Sequence, residues 1–184
     1  LSGLSKECRF VLLSDLHNKV YGTKNDKVIE TIHRINPDFI VLAGDLVTSQ
    51  VREDMTPGIE LVRALGQDYR IYYGLGNHES KMRQKPDQFG DKYHRLIRAV
   101  SGKNVTVLRN EAVSLPEYNL RITGLDLDLH YFAHFKIRKM NPGYLQETLP
   151  ECEKDKCNIL IAHNPDYFEE YAQWGADLVL SGHV

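Results

Sequence analysis

The residues that could do chemistry in this chain are aspartates, an asparagine and histidines that recur just after short apolar runs. Phe10-Val11-Leu12-Leu13 is followed by Ser14-Asp15-Leu16-His17, Phe39-Ile40-Val41-Leu42-Ala43 by Gly44-Asp45, and Ile71-Tyr72-Tyr73-Gly74-Leu75 by Gly76-Asn77-His78-Glu79. Further on, Ile159-Leu160-Ile161-Ala162 is followed by His163-Asn164-Pro165, and Leu178-Val179-Leu180 by Ser181-Gly182-His183. Carboxylate and amide oxygens with imidazole nitrogens, and no thiolate, suit harder first-row divalent cations such as Mn, Fe or Zn. The neighbouring glycines let backbone approach closely where ligands converge. Each piece taken singly has an ordinary explanation. A Gly-Asp after a strand is commonly a turn, Asn-His-Glu can cap a helix, and a histidine at a strand end can be packed or solvated. Those explanations do not account for the repetition, which occurs five times in chain order and takes four of the eight histidines.

These groups can meet only if the apolar runs are strands of one sheet system, because open α/β sheets bind ligands beyond the carboxyl ends of their strands. The runs Arg9–Leu13, Asp38–Ala43, Arg70–Leu75, Leu120–Thr123, Asn158–Ala162 and Asp177–Leu180 are short and almost continuously apolar, as strands covered on both faces are. Between them lie helical patterns. Lys24–Ile35 places Val28, Ile29, Ile32 and Ile35 on one stripe and stops before Pro37. Thr56-Pro57 reads as an N-cap with a first-turn proline, and Asp91–Val100 and Asp166–Trp174 end near Gly102 and Gly175. Alternating strands and helices predict an α/β fold, partly parallel, with helices on its faces. The stretch Asp126–Lys156 fits no such unit and reads as a loop-rich insertion near the site.

Composition limits the partners. The 184 residues fit one domain, with 26% charged and 42% apolar side chains and a net charge of −2. That balance lacks the basic face a dedicated nucleic-acid binder needs, so no nucleic-acid partner is expected. No apolar run approaches the ~20 residues of a membrane span. Cys8, Cys152 and Cys157 form neither a disulfide framework nor a zinc pattern and read as free or buried thiols.

As a set, Asp-x-His, Gly-Asp, Gly-Asn-His-Glu, a single His and a final Gly-His resembles the calcineurin-like metallophosphoesterases, over nearly the whole chain from Asp15 to His183. The opening, Ser14-Asp15-Leu16-His17 and then Asn36-Pro37-Asp38 before Gly44-Asp45-Leu46, looks most like the bacterial, membrane-associated branch of phosphohydrolases. The resemblance implies a layered α/β sandwich of two β-sheets flanked by helices. It implies that residues 1–184 form one such domain, cut inside a Gly-His-x-His motif whose second histidine would be position 185. It also implies two divalent metal ions, Mn first with Fe or Zn as alternatives. Asp15 and His17 would hold one, Asn77, His163 and His183 the other, and Asp45 would bridge them. His78 would face the substrate as the catalytic residue. The implied activity is hydrolysis of a phosphomonoester or phosphodiester by a metal-bridging hydroxide. The implied substrate is a phosphorylated small molecule or a lipid head group, and membrane association would come through a segment outside this chain. The compartment stays open between cytoplasmic and membrane-associated. The alternative is a scaffold or binding protein that keeps the fold without catalysis.

One departure matters. The protein phosphatases of the superfamily carry Asp and Arg three and four residues after the bridging Asp, where this chain has Thr48 and Ser49. The orientation of His78 must then come from elsewhere, and Glu79 is the candidate. Lys81, Arg83 and Lys85 either attract an anionic substrate or form a solvated loop. His33 and His94 read as surface or packing residues. The aromatic stretch His130, Tyr131, Phe132, His134 and Phe135 reads as a satellite core or a substrate- or lipid-facing loop, and Trp174 as helix packing.

Overall fold

The computed structural model describes residues 3–132 and 139–183. Four strands, β1 (Phe10–Leu13), β2 (Phe39–Ala43), β3 (Arg70–Gly74) and β4 (Val105–Leu108), pair in parallel in that order as one sheet. A second four-stranded sheet has the order β5 (Glu111–Leu115), β6 (Leu120–Leu125), β7 (Cys157–Ala162), β8 (Leu178–Leu180). Within it β5 and β6 are antiparallel, while β6, β7 and β8 run parallel. Around them lie α1 (Asp26–Ile35), α2 (Thr56–Asp68), α3 (Asn77–Gln84), α4 (Pro86–Phe89), α5 (Lys92–Val100), α6 (Tyr144–Thr148) and α7 (Phe168–Trp174). The result is the layered sandwich, two sheets face to face with helices on both outer faces.

The near-continuous apolar runs follow from this layering. In β2, Phe39, Val41 and Ala43 point between the sheets, where Leu108, Leu120, Ile122, Ile159 and Ile161 meet them. The alternate residues Ile40 and Leu42 face Leu61, Leu65, Tyr93 and Leu96 on the helical side. In β7, Leu160 and Ala162 face a third core with Leu145, Tyr167, Tyr171 and Trp174. Every residue of β2 and β7 is buried on one face or the other, so no polar alternation appears in them.

Several boundaries differ from the sequence reading. The strands β4 and β5 and the helix α3 were not anticipated. β5 is an edge strand whose Glu111 and Ser114 are exposed, so it carries no apolar run. α3 begins at Asn77 itself and buries only Glu79, Ser80 and Met82. Thr56 is the first residue of α2 rather than its cap; the Asp54 carboxylate accepts from the Thr56 N–H at 2.9 Å and from its hydroxyl at 2.6 Å. The described part of 126–156 carries more structure than a loop insertion. It contributes a 3₁₀ turn, Leu129–Phe132, and α6, and it buries Leu127, Tyr131, Met140 and Leu149 in the third core. Tyr131 is thus a core residue, whereas His134 and Phe135 lie outside the described residues. The three cysteines are free thiols.

Candidate active site

The carboxyl ends of β1, β2 and β3 from one sheet, and of β7 and β8 from the other, deliver the candidate residues to one edge of the sandwich. The chain there is strained. Asp15, His17, Asp45 and His183 all have left-handed backbones, with φ of 54°, 47°, 52° and 59°. A non-glycine residue in that region costs of order 1–3 kcal/mol and persists only when its surroundings over-determine it. Those surroundings are visible. Asp15 N–H donates to Gly44 O at 3.2 Å, His17 N–H to Asp45 O at 3.0 Å, and Asn18 N–H to Leu46 O at 3.0 Å, which ties the β1 and β2 ends together. Close approach does the rest. A Cβ on Gly76 would collide with the Asp45 carboxylate and backbone nitrogen, and one on Gly182 with the Ser14 hydroxyl and the Asp15 carboxylate.

Asp45 lies at the centre and is buried. His163 Nε2 sits 3.1 Å from Asp45 Oδ2 and 3.8 Å from Asp15 Oδ1. Its Nδ1 lies 2.6 Å from the Ala43 carbonyl, which can only accept, so Nδ1 carries a proton and Nε2 is the atom aimed at the carboxylates. Asp15 accepts from the Ser14 hydroxyl at 2.6 Å and from the His183 N–H at 3.1 Å. His17 Nε2 lies 3.7 Å from Asp15 Oδ1. Potential ligand atoms of Asp45, His163 and His183 lie within 4.8 Å of one another, and so do those of His17, Asp45 and His78. Asp45 is common to both groups. Asp15, His17, Asp45, Asn77, His78 and His183, with Ser49 and Lys81, line a cleft of about 470 Å³, while His163 is buried beneath it. All six candidate metal residues are therefore brought together.

The electrostatics ask for a cation. Burial pushes the Asp45 carboxyl up, but the closeness of His163 outweighs it and holds the group below its usual range. Burial likewise pushes His163 down, and its contact with Asp45 reverses that and raises it. Each group holds the other in its charged form, so the imidazolium gives Asp45 the positive charge that a bound metal ion would otherwise supply. His17 Nδ1 and Asn77 Oδ1 are buried with no hydrogen-bond partner among the described residues. A buried polar atom left unpaired costs about 1–3 kcal/mol, and a divalent cation would relieve these together. The residues present fit metal.

His78 is held differently. Its backbone N–H donates to Asp45 Oδ1 at 2.9 Å. Its Nδ1 accepts from the Ser49 N–H at 2.8 Å, and the Ser49 hydroxyl lies at the same distance. With Nδ1 accepting, the proton of the neutral ring sits on Nε2, 3.9 Å from Asp45 Oδ2. Burial pushes the His78 pKa down, which favours that neutral form. A protonated Nε2 is a donor rather than a ligand.

Glu79 does not orient His78, which corrects the sequence expectation. It is fully buried, and its Oε2 accepts from the N–H groups of Asp45 and Gly76, both at 2.9 Å. It thereby locks the turns after β2 and β3, and burial, with the Asp45 charge adding to it, pushes it up to about 7. Ser49 supplies the contact to His78 instead. The only sequence signal for Ser49 was its place four residues after Asp45. Of the three α3-region cations, Lys81 reaches the cleft, Arg83 pairs with buried Asp126 at 2.7 Å, and Lys85 is exposed. His33 pairs with Asp68 on the surface at 3.2 Å, and His130 packs on Tyr131 with ring centroids 3.9 Å apart. Phe132 lies against His183, centroids 5.3 Å apart.

Known proteins resemble this chain along most of its length. A metallophosphoesterase of Caenorhabditis elegans is 30% identical over 94% of this chain and 35% of its own length. A zebrafish (Danio rerio) transmembrane protein with a metallophosphoesterase domain is 29% identical over 96% of this chain and 40% of its own. A metallophosphoesterase of Campylobacter jejuni is 25% identical over 100% of this chain and 46% of its own. The chain thus spans less than half the length of these relatives, which come from animals as well as bacteria. The model of the calcineurin-like phosphoesterase family matches residues 8–184, and the chain belongs to that family.

Proposed function

We propose that this domain hydrolyses phosphoester bonds at a centre of two divalent cations that share Asp45. The observation carrying the reading is that buried Asp45, at the strained strand edge, lies within ligand reach of His17 and also of His163 and His183. Asp15 and His17 would hold one ion, and Asn77, His163 and His183 the other. Manganese is the first choice, with iron or zinc as alternatives, since oxygen and imidazole donors accept all three. When bound, the ions supply a nucleophilic water of lowered pKa and charge compensation for the phosphoryl oxygens.

The chain's own residues do the remainder. Ala43 O fixes the tautomer of His163, and Ser14 with the His183 N–H fixes Asp15. Glu79 locks the turns that carry Asp45 and Asn77. His78, kept neutral by burial and turned by Ser49, presents its Nε2–H as a hydrogen-bond donor to the leaving oxygen and steadies the charge that develops there as the P–O bond breaks, while any proton that oxygen needs comes from water. The scaffold alternative gains no support, because every ligand position in the chain holds a competent residue and His78 is in place.

The substrate class we propose is a phosphorylated small molecule or lipid head group; the net charge of −2 offers no electrostatic footing for nucleic acid. The test is a metal-supplemented panel with p-nitrophenyl phosphate and bis(p-nitrophenyl) phosphate, with and without EDTA. Turnover that appears with Mn²⁺ and disappears with EDTA is expected. No turnover of either ester with Mn²⁺, Fe²⁺ or Zn²⁺ would contradict the reading.

A further inference from the structure

Lys81 is the one lysine or arginine lining the cleft among the described residues. It sits on α3 three residues after His78 and four after Asn77, spacings that place all three on one face of a helix. That helix is fixed. The Ser80 hydroxyl donates to Asp126 Oδ1 at 2.5 Å, and Arg83 Nη2 pairs with Asp126 Oδ2 at 2.7 Å. Arg83 is therefore engaged by a buried carboxylate. Lys81 has the Phe89 ring 6.0 Å from its ammonium and no carboxylate within ion-pair reach among the described residues.

The charges of the transferred phosphoryl group would be met around Asp45. Lys81 follows His78 along α3 on the wall of the cleft, so a leaving group that takes the His78 Nε2–H hydrogen bond would lie on the Lys81 side. A cation there has no counterpart in a neutral leaving group. We infer that Lys81 selects substrates whose leaving group is itself anionic, that is, phosphoanhydrides carrying a second phosphate next to the scissile one. The inference rests on the phosphohydrolase reading and deepens it.

The chemistry balances without any further reactant. A water oxygen bonds to the terminal phosphorus, and the bond from that phosphorus to the leaving oxygen breaks with its electron pair. From adenosine diphosphate the leaving group is the adenosine monophosphate dianion, which needs no proton; one water proton stays on the released phosphate and the other goes to solvent. From adenosine monophosphate the leaving adenosine oxygen takes one of the water's protons by way of solvent, with the His78 Nε2–H steadying it until then, and the other proton stays on the released phosphate. Lys81 assists the first case and has nothing to pair with in the second.

These two nucleotides are the matched probes, assayed on the Mn²⁺-loaded protein. The parent is expected to show a higher kcat/KM for the diphosphate than for the monophosphate. K81Q should lower the ratio of the two by roughly 10-fold or more, the worth of a hydrogen bond between charged groups. K81R should restore most of it. The second readout is equilibrium binding by calorimetry, where K81Q should erase about 10-fold of the parent's preference for pyrophosphate over inorganic phosphate. An unchanged ratio in K81Q, or equal loss on both nucleotides, would overturn the role of Lys81. If the loaded parent hydrolyses neither nucleotide nor the nitrophenyl esters, the hydrolase reading fails. The calorimetry then still decides Lys81: a preference lost in K81Q upholds it, and a preference retained overturns it.

Discussion

The two ends of the sandwich differ in what their polar atoms lack. At the amino ends of β7 and β8 lies a cavity of about 620 Å³, larger than the 470 Å³ cleft at the carboxyl ends. None of its buried side-chain polar atoms lacks a partner among the described residues. Asn158 Nδ2 donates to the carbonyls of Glu153 and Lys156 at 2.9 and 3.0 Å, and its N–H donates to Asp177 Oδ2 at 2.7 Å. The left-handed residues on its wall are glycines, Gly3 and Gly175, which bear such backbones without strain. Burial pushes the Cys152 thiol there up to about 11, so it stays protonated and inert. The carboxyl-end cleft is smaller but holds strained non-glycine residues, carboxylates facing a buried imidazole, and buried atoms without partners. Space alone does not mark a functional site; unmet electrostatic demand does.

Substitutions should widen that contrast. Asp45→Ala has the largest expected effect, because it removes the group common to both ligand sets. Metal content by elemental analysis should fall at both positions and turnover should drop to background. A variant that keeps two ions would show that Asp45 is not shared. Next is His78→Ala, for which kcat should fall by roughly 10²–10³, the range for a lost transition-state hydrogen-bond donor, with metal content kept. Metal loss in that variant would make His78 a ligand. Ser49→Ala comes third. It deletes the hydroxyl contact but leaves the backbone donor on Nδ1, so kcat should fall only about 2–10-fold, the worth of one neutral hydrogen bond. A drop as large as that of His78→Ala would mean that the hydroxyl itself takes part in the chemistry. Smallest is Cys152→Ala in the larger cavity, expected to change kcat/KM by less than about 2-fold, as substitutions away from the working groups do. A large loss there would erase the distinction between the two ends.

How much of this could be read in advance follows from burial. Strands β2, β3, β6 and β7 declare themselves because both faces are largely covered and their sequences are mostly apolar, and β1 and β8 because their short runs are apolar even where Leu12 is exposed. β5 is hidden because an edge strand leaves Glu111 and Ser114 in solvent. β4 escapes because its four residues include an exposed Thr106, and its pairing with β3 is a tertiary fact. α3 escapes because its first turn, Asn77-His78-Glu79, reads equally as a ligand loop and as a helix start; it is both. At the site, the metal-type residues are legible because ligand chemistry restricts residue type and the strand ends fix their place. The support of His78 is not. Ser49 reaches it through the fold of the loop after Asp45, which buried Lys92 fixes by donating to the Gln50 carbonyl, and no local spacing encodes that contact. Glu79, adjacent in sequence to His78, points into the core instead.

The most direct measurement is anomalous diffraction from crystals grown with Mn²⁺, recorded near the manganese edge. Two peaks about 3.5–4 Å apart, with the Asp45 carboxylate between them, are expected. One peak should lie against Asp15 and His17, and the other against Asn77, His163 and His183. Soaking in EDTA should remove both peaks and abolish turnover together. A single peak that Asp45 does not touch, or ions bound away from the strand edge, would contradict a shared two-metal centre.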